Sequence, residues 1–180
     1  MRDGLILLGG GPWGSAGPRN LPTLVKEVEL THACLEKGLP VIGLGLGAQI
    51  LALASGGKTF AVPLEFKIGH AHRSFDDALA GFLPEHYRNF TYMRDRFEPP
   101  AEAVELAIDD FGDVALFKVA DKGFGFSGHP GFKAAIGEDL IMEFEEHPED
   151  VRSTLIDVRE AKRSIEDDLI RIMTGLVLET

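Results

Sequence analysis

Apolar residues run unbroken through "GLILLGG" (4–10) and stop at glycines, a pattern that predicts a strand buried on both faces. The following "GGGPWGSAGPRNLP" (9–22) is too rich in Gly and Pro for a helix and reads as a loop. From Thr23 the apolar positions of "TLVKEVELTHACLEKG" recur at helical spacing, with Gly38 as the stop. "LPVIGL" (39–44) is a second short buried strand, and "GAQILALASGG" (47–57) a helix closing on a glycine pair. Strand, helix, strand, helix in this order predicts an α/β domain with a parallel sheet.

The middle of the chain changes character. "KTFAVPLEFKIGHAHRSF" (58–75) reads as short strands broken by Pro63 and Gly69. Strands and tight turns continue through residues 87–128, with "ADKG" (120–123) joining two of them. After Phe132 come about two helices' worth of sequence. In the last, Ile165, Leu169, Ile172, Met173 and Leu176 share one face suited to a core or a partner. The expected organisation is an α/β unit over 1–133 and a helical extension over 134–180 that packs on it or on a partner.

Composition narrows the function classes. At 180 residues the chain suits one domain. Its net charge of −11, with no basic stripe, argues against nucleic-acid binding. The acidic run "EFEEHPEDV" (143–151) reads as a solvated face. Cys34 is the single cysteine, so no disulfide forms within the chain, and a reducing, cytoplasmic setting is expected. The same residue reads as a small buried hydrophobe. The apolar run near the N-terminus is too short for a signal segment or a membrane span.

The chemistry centres on "PVIGLGLGAQILA" (40–52): strand, glycine-studded turn, helix start. Such a turn exposes a nucleophile or cradles a phosphate, yet Gly45 at its apex carries no reactive atom. Taken in order with "GLILLGGGP", "FLPEHYRNFTYMRDRFEPPAEAVELA" and "FGFSGHPGF", it resembles class I glutamine amidotransferase domains from about residue 3 to residue 132. The resemblance implies a three-layer, doubly wound, mostly parallel α/β sheet of flavodoxin-like type, here without the family's usual first strand and helix. It also implies a site built on G-x-C-x-G-x-Q and H-P-E, in which Cys attacks the glutamine amide, His is its base and Glu orients the His. In this sequence Gly43, Gly45, Gly47 and Gln49 occupy the first motif and His129, Pro130 and Gly131 the second. The nucleophile's place therefore falls on Gly45 and the acid's on Gly131, leaving His129 alone of the triad.

A glycine cannot form a thioester, and losing nucleophile and orienter together removes essentially all triad catalysis. Cys34, in the preceding helix, is badly placed to substitute. By the resemblance, the N–H groups of Gly10 and Leu46 would form the oxyanion hole, although "GGGPWG" holds one glycine more than the usual loop. Gln49 either helps hold a glutamine or satisfies backbone groups at the elbow. Trp13, beside the site, could plug the pocket or anchor a partner. Arg94 and Asp95 read as a surface ion pair. His70 and His72, two apart on a strand, face one side and are weak candidates to share a metal, but spacing reveals no third ligand, so no metal site and no cofactor are expected. "GLGLG" superficially resembles a dinucleotide fingerprint without its full spacing. The expected function is a catalytically inactive amidotransferase-like subunit, structural or regulatory, in a larger complex. Another subunit or a second copy is expected to complete the sheet, with no nucleic-acid or membrane partner. The alternative is an enzyme, or a binder of small molecules or anions, that uses other residues.

Overall fold

A computed structural model describes residues 4–180 except 134, 137, 140–155, 157 and 158. The acidic run at 143–151 and most of the helix expected after residue 133 lie outside the described residues. The elements are β1 (Leu5–Leu7), α1 (Leu24–Glu36), β2 (Val41–Leu44), α2 (Leu46–Ala54), β3 (Lys58–Arg73), β4 (His86–Glu98), β5 (Val104–Asp109), β6 (Val114–Val119), β7 (Gly123–Phe126) and α3 (Lys162–Glu179).

Seven strands form one sheet in the order β1-β2-β7-β6-β5-β3-β4. Parallel pairing, expected for most of the sheet, joins β1 with β2 and β2 with β7. The other four pairings are antiparallel. Chain connectivity gives the reason: short turns such as the one between β6 and β7 reverse the chain, whereas a parallel neighbour needs a long crossover. α1 and α2 supply the crossovers on the parallel side.

Helices cover both faces, so the layering is helix, sheet, helix. On one face Val41, Phe117 and Val119 pack with Ile50 and Leu51 of α2, and Leu24, Val28 and Leu35 of α1 join them. On the other, Tyr87, Leu116, Phe124 and Phe126 pack with Ile172 and Leu176 of α3. Burying a side chain such as Ile172 stabilises by about 1.5–3 kcal/mol, which fixes α3 on this face. A smaller cluster joins Ile165 of α3 to Phe90 and Phe132, whose rings stack at 3.5 Å between centroids.

Three local expectations change. Residues 58–73 form one continuous strand, not several. Its pairing with β4 shifts register between Ala61 and Glu65, and Pro63 sits in that irregularity, where its missing N–H does not interrupt the ladder. β1 is buried on one face only: Leu7 faces α2, whereas Ile6 is 65 % exposed. It lies at the sheet edge with no strand on its outer side among the described residues. Cys34 is half-buried against the α1–α2 core instead of fully buried. Among the described residues no helix is long and apolar enough to cross a membrane.

Candidate functional site

The elbow forms where β2 hands over to α2. Gly45, the residue between them, has φ +58° and ψ −115°, a conformation that side chains disfavour and glycine adopts freely. Its N–H donates to Phe126 O at 2.9 Å, tying the turn to the end of β7. The flanking glycines are required by close approach. A Cβ on Gly43 would overlap the backbone of Gly47, and one on Gly47 would overlap the carbonyl of Leu7. At Gly45 a Cβ would meet His129 Cε1 at a tight 3.3 Å, a side-chain contact, with Gly9 Cα at 4.0 Å. The frame that presents a nucleophile to a histidine is intact.

His129 is held from behind, its backbone N–H donating to Phe90 O at 2.8 Å. Its ring Nδ1 is buried and meets no hydrogen-bond partner among the described residues. Burial alone lowers its pKa below the usual histidine range, with no carboxylate acting in the other direction. At Gly131 a Cβ would approach Leu169 Cδ2 to 2.7 Å, so the tip of this leucine of α3 would have to shift to admit a side chain there.

Gly10 lies against the side chain of Leu46, whose Cδ2 a Cβ at Gly10 would overlap. Leu46 opens α2, and its N–H is among those a helix start leaves without an intrahelical partner. Gln49 lines the same cavity, but its amide is engaged within the chain. Oε1 accepts from Ser15 Oγ at 2.6 Å, and Nε2 donates to Asp95 O at 3.1 Å and contacts Met93 Sδ at 3.4 Å.

Asp95 is no surface ion pair. It is 2 % exposed, and its Oδ2 accepts from the N–H groups of Ser15 at 2.7 Å and Ala16 at 3.2 Å. The reason is the Gly/Pro loop: its backbone donors have no helix or strand to satisfy them, and a buried carboxylate does so. A Cβ on Gly14 would overlap that carboxylate, so the loop closes tightly over it. Ser15 and Asp95 are site-forming residues that sequence reasoning missed. The signal available was a polar Asp inside an otherwise half-apolar strand.

Above the elbow lies a cavity of about 430 Å³, walled mainly by apolar side chains and roofed by α3. Gly10, Trp13, Gly45, Leu46, Gln49, His129 and Gly131 all line it. Trp13, half-exposed, stands in this lining without filling the cavity.

His70 and His72 lie elsewhere, on β3. Their rings are 6.4 Å apart, and His86 of β4 stands 5.9 Å from His70. Asp110 accepts the backbone N–H of His70 at 2.7 Å and pairs with His72 Nε2 at 2.7 Å. The spacing of the two histidines did not reveal these neighbours, which arrive from other strands. Among the described residues no His, Cys, Asp or Glu group has a geometry that could hold a metal ion.

Comparison with known proteins agrees with the elbow geometry. The family description "Glutamine amidotransferase class-I" matches residues 2–143. The carbamoyl phosphate synthase small chain of Vibrio vulnificus is 33% identical over 132 residues, covering 71% of this chain and 34% of that protein. The small chain of Vibrio cholerae is also 33% identical over 132 residues, with the same coverage of 71% and 34%. The chain thus spans about a third of the length of these curated relatives. A glutamine amidotransferase structure from Thermotoga maritima superposes with a TM-score of 0.80 at 23% identity, covering 96% of this chain and 77% of that one. One from Methylobacillus flagellatus gives 0.73 at 21% identity, covering 96% and 76%. Matched by the family model along most of its length, the chain belongs to the class I glutamine amidotransferase family.

Proposed function

We propose that this chain does not hydrolyse glutamine and serves as a non-catalytic amidotransferase-family subunit in a larger assembly. One observation carries the reading: the elbow keeps its shape around Gly45, while Leu169 lies against Gly131, the residue in the orienting acid's place. A thiolate mechanism needs a nucleophile, a base within reach and a group that fixes the base's tautomer. Here the base alone remains, its Nδ1 buried without a hydrogen-bond partner among the described residues and its charged form disfavoured by burial.

The relatives support the second half of the proposal, since each is named as the small chain of a carbamoyl phosphate synthase. The half-covered β1 supports it too, with an apolar face and an open ladder edge of the kind proteins cover by association. A cytoplasmic location belongs to the same reading.

Ammonia release from L-glutamine by the purified chain tests the first half. A rate indistinguishable from buffer is expected, and turnover abolished by His129→Ala overturns the reading. Size-exclusion chromatography with light scattering tests the second: a stable monomer at all concentrations, alone and in extracts of its source, overturns it.

A further inference from the structure

The cavity above the elbow sets a cation among apolar walls. Its volume of about 430 Å³ is that of a small-molecule site, and such sites are mostly apolar with a few placed polar groups. α3 contributes Leu169 and Met173 to the walls, and the sheet contributes Ile42 and Leu44. Arg94 of β4 lines the same space. Arginine keeps its charge in proteins and carries five N–H donors in a planar fork, so contacts elsewhere in the chain leave donors for a ligand.

The other polar side chains of the lining have little to offer a ligand. Gln49 is bonded to Ser15 and Asp95. The Asp95 carboxylate belongs to a residue only 2 % exposed and accepts from the loop N–H groups of Ser15 and Ala16. His129 presents Cε1, a carbon, to the space over Gly45, and burial disfavours its charged form. A ligand ammonium therefore meets no uncommitted carboxylate among the described lining residues. An anion meets Arg94, in surroundings of low dielectric that strengthen the pair.

The geometry points to a small amphiphilic monoanion as the occupant, its apolar body between α3 and the sheet and its anionic group on the Arg94 guanidinium. This rests on the reading that the site does not hydrolyse glutamine. It goes further by assigning the site a ligand class and the residue that recognises it. A free amino acid does not fit, because its ammonium would lose hydration without gaining a partner.

8-Anilino-1-naphthalenesulfonate serves as the probe, and N-phenyl-1-naphthylamine, the same rings without the sulfonate, as its uncharged counterpart. Each is titrated into the full chain and followed by its fluorescence. The anionic probe should bind saturably, one molecule per chain, and at least tenfold more tightly than the uncharged one. Arg94→Met should weaken the anionic probe at least tenfold and change the uncharged one less than twofold, and Arg94→Lys should restore part of the loss. Met173→Trp, which places a larger ring in the lining, should weaken both probes, and Val177→Ser, on the exposed side of α3 outside the lining, neither. Octanoate should displace the anionic probe, and millimolar L-glutamine should not. Equal binding of the two probes, full retention of the anionic probe by Arg94→Met, indifference to Met173→Trp, or displacement by glutamine overturns the inference. If Arg94→Met fails to fold, the ratio between the two probes and the octanoate displacement decide. Ammonia release from glutamine by the unaltered chain instead overturns the non-hydrolytic reading, whatever the probes do.

Discussion

Gly45 sits at φ +58° and a Cβ there meets a side-chain atom first, so a thiol can be put back at a known cost. Gly45→Cys is expected to lower stability by about 1–3 kcal/mol, the range for a side chain held in a sparsely populated backbone region. Urea unfolding measures that loss, and ammonia release should stay at background, because no acid orients His129. The histidine carries a pH signature of its own. Burial lowers its pKa in the folded protein, so the unfolded chain binds a proton first as pH falls. Stability from this residue is therefore intact above about pH 6.5 and declines below it, until the folded imidazole also protonates. Denaturation midpoints between pH 7 and 5 should fall less steeply for His129→Leu than for the unaltered chain. The glycines at 43 and 47 were legible in the sequence because close backbone approach dictates residue type directly, and Gly45 because its positive φ does. Asp95 was not, because the N–H groups it satisfies lie 80 and 79 residues away.

Among the elements, α3 has the most consequence for the site. Its apolar face was readable from helical spacing alone, but which surface it covered depended on tertiary packing. Ile165, Ile172 and Leu176 are buried against the sheet, and Ile172 and Leu176 join Leu169 and Met173 in lining the cavity. Ile172→Ala should cost about 2–5 kcal/mol, as for other large-to-small changes at fully buried sites. Thermal unfolding checks the value, and a loss under 1 kcal/mol means that α3 is not held on this face. β3 shows the opposite kind of difference. Proline is a reliable warning inside a regular ladder, but the register shift between Ala61 and Glu65 gives Pro63 a place where no donor is needed. The salt-bridged side chains on that stretch reinforce its continuity: Arg96 of β4 donates to Glu65 through Nη2 at 2.6 Å and Nε at 3.3 Å.

At the scale of the whole molecule, β1 is an edge of the mixed sheet with no strand on its outer side among the described residues. Ile6 and Leu8 are each 65 % exposed there, with Trp13 of the adjoining loop 45 % exposed. If this margin is the contact through which the chain joins an assembly, Ile6→Lys should reduce association in sedimentation velocity. It should also leave unfolding within about 0.5 kcal/mol of the unaltered chain, as surface changes usually do. Unchanged association places the contact elsewhere. The contact between Gly131 and Leu169 has a consequence beyond any single stability value. A side chain introduced at 131 meets the far end of that leucine first, so the loop after β7 and the C-terminal helix share one seam of the cavity although 38 residues separate them. Any change of residue 131 is therefore felt by α3 before it is felt by the elbow.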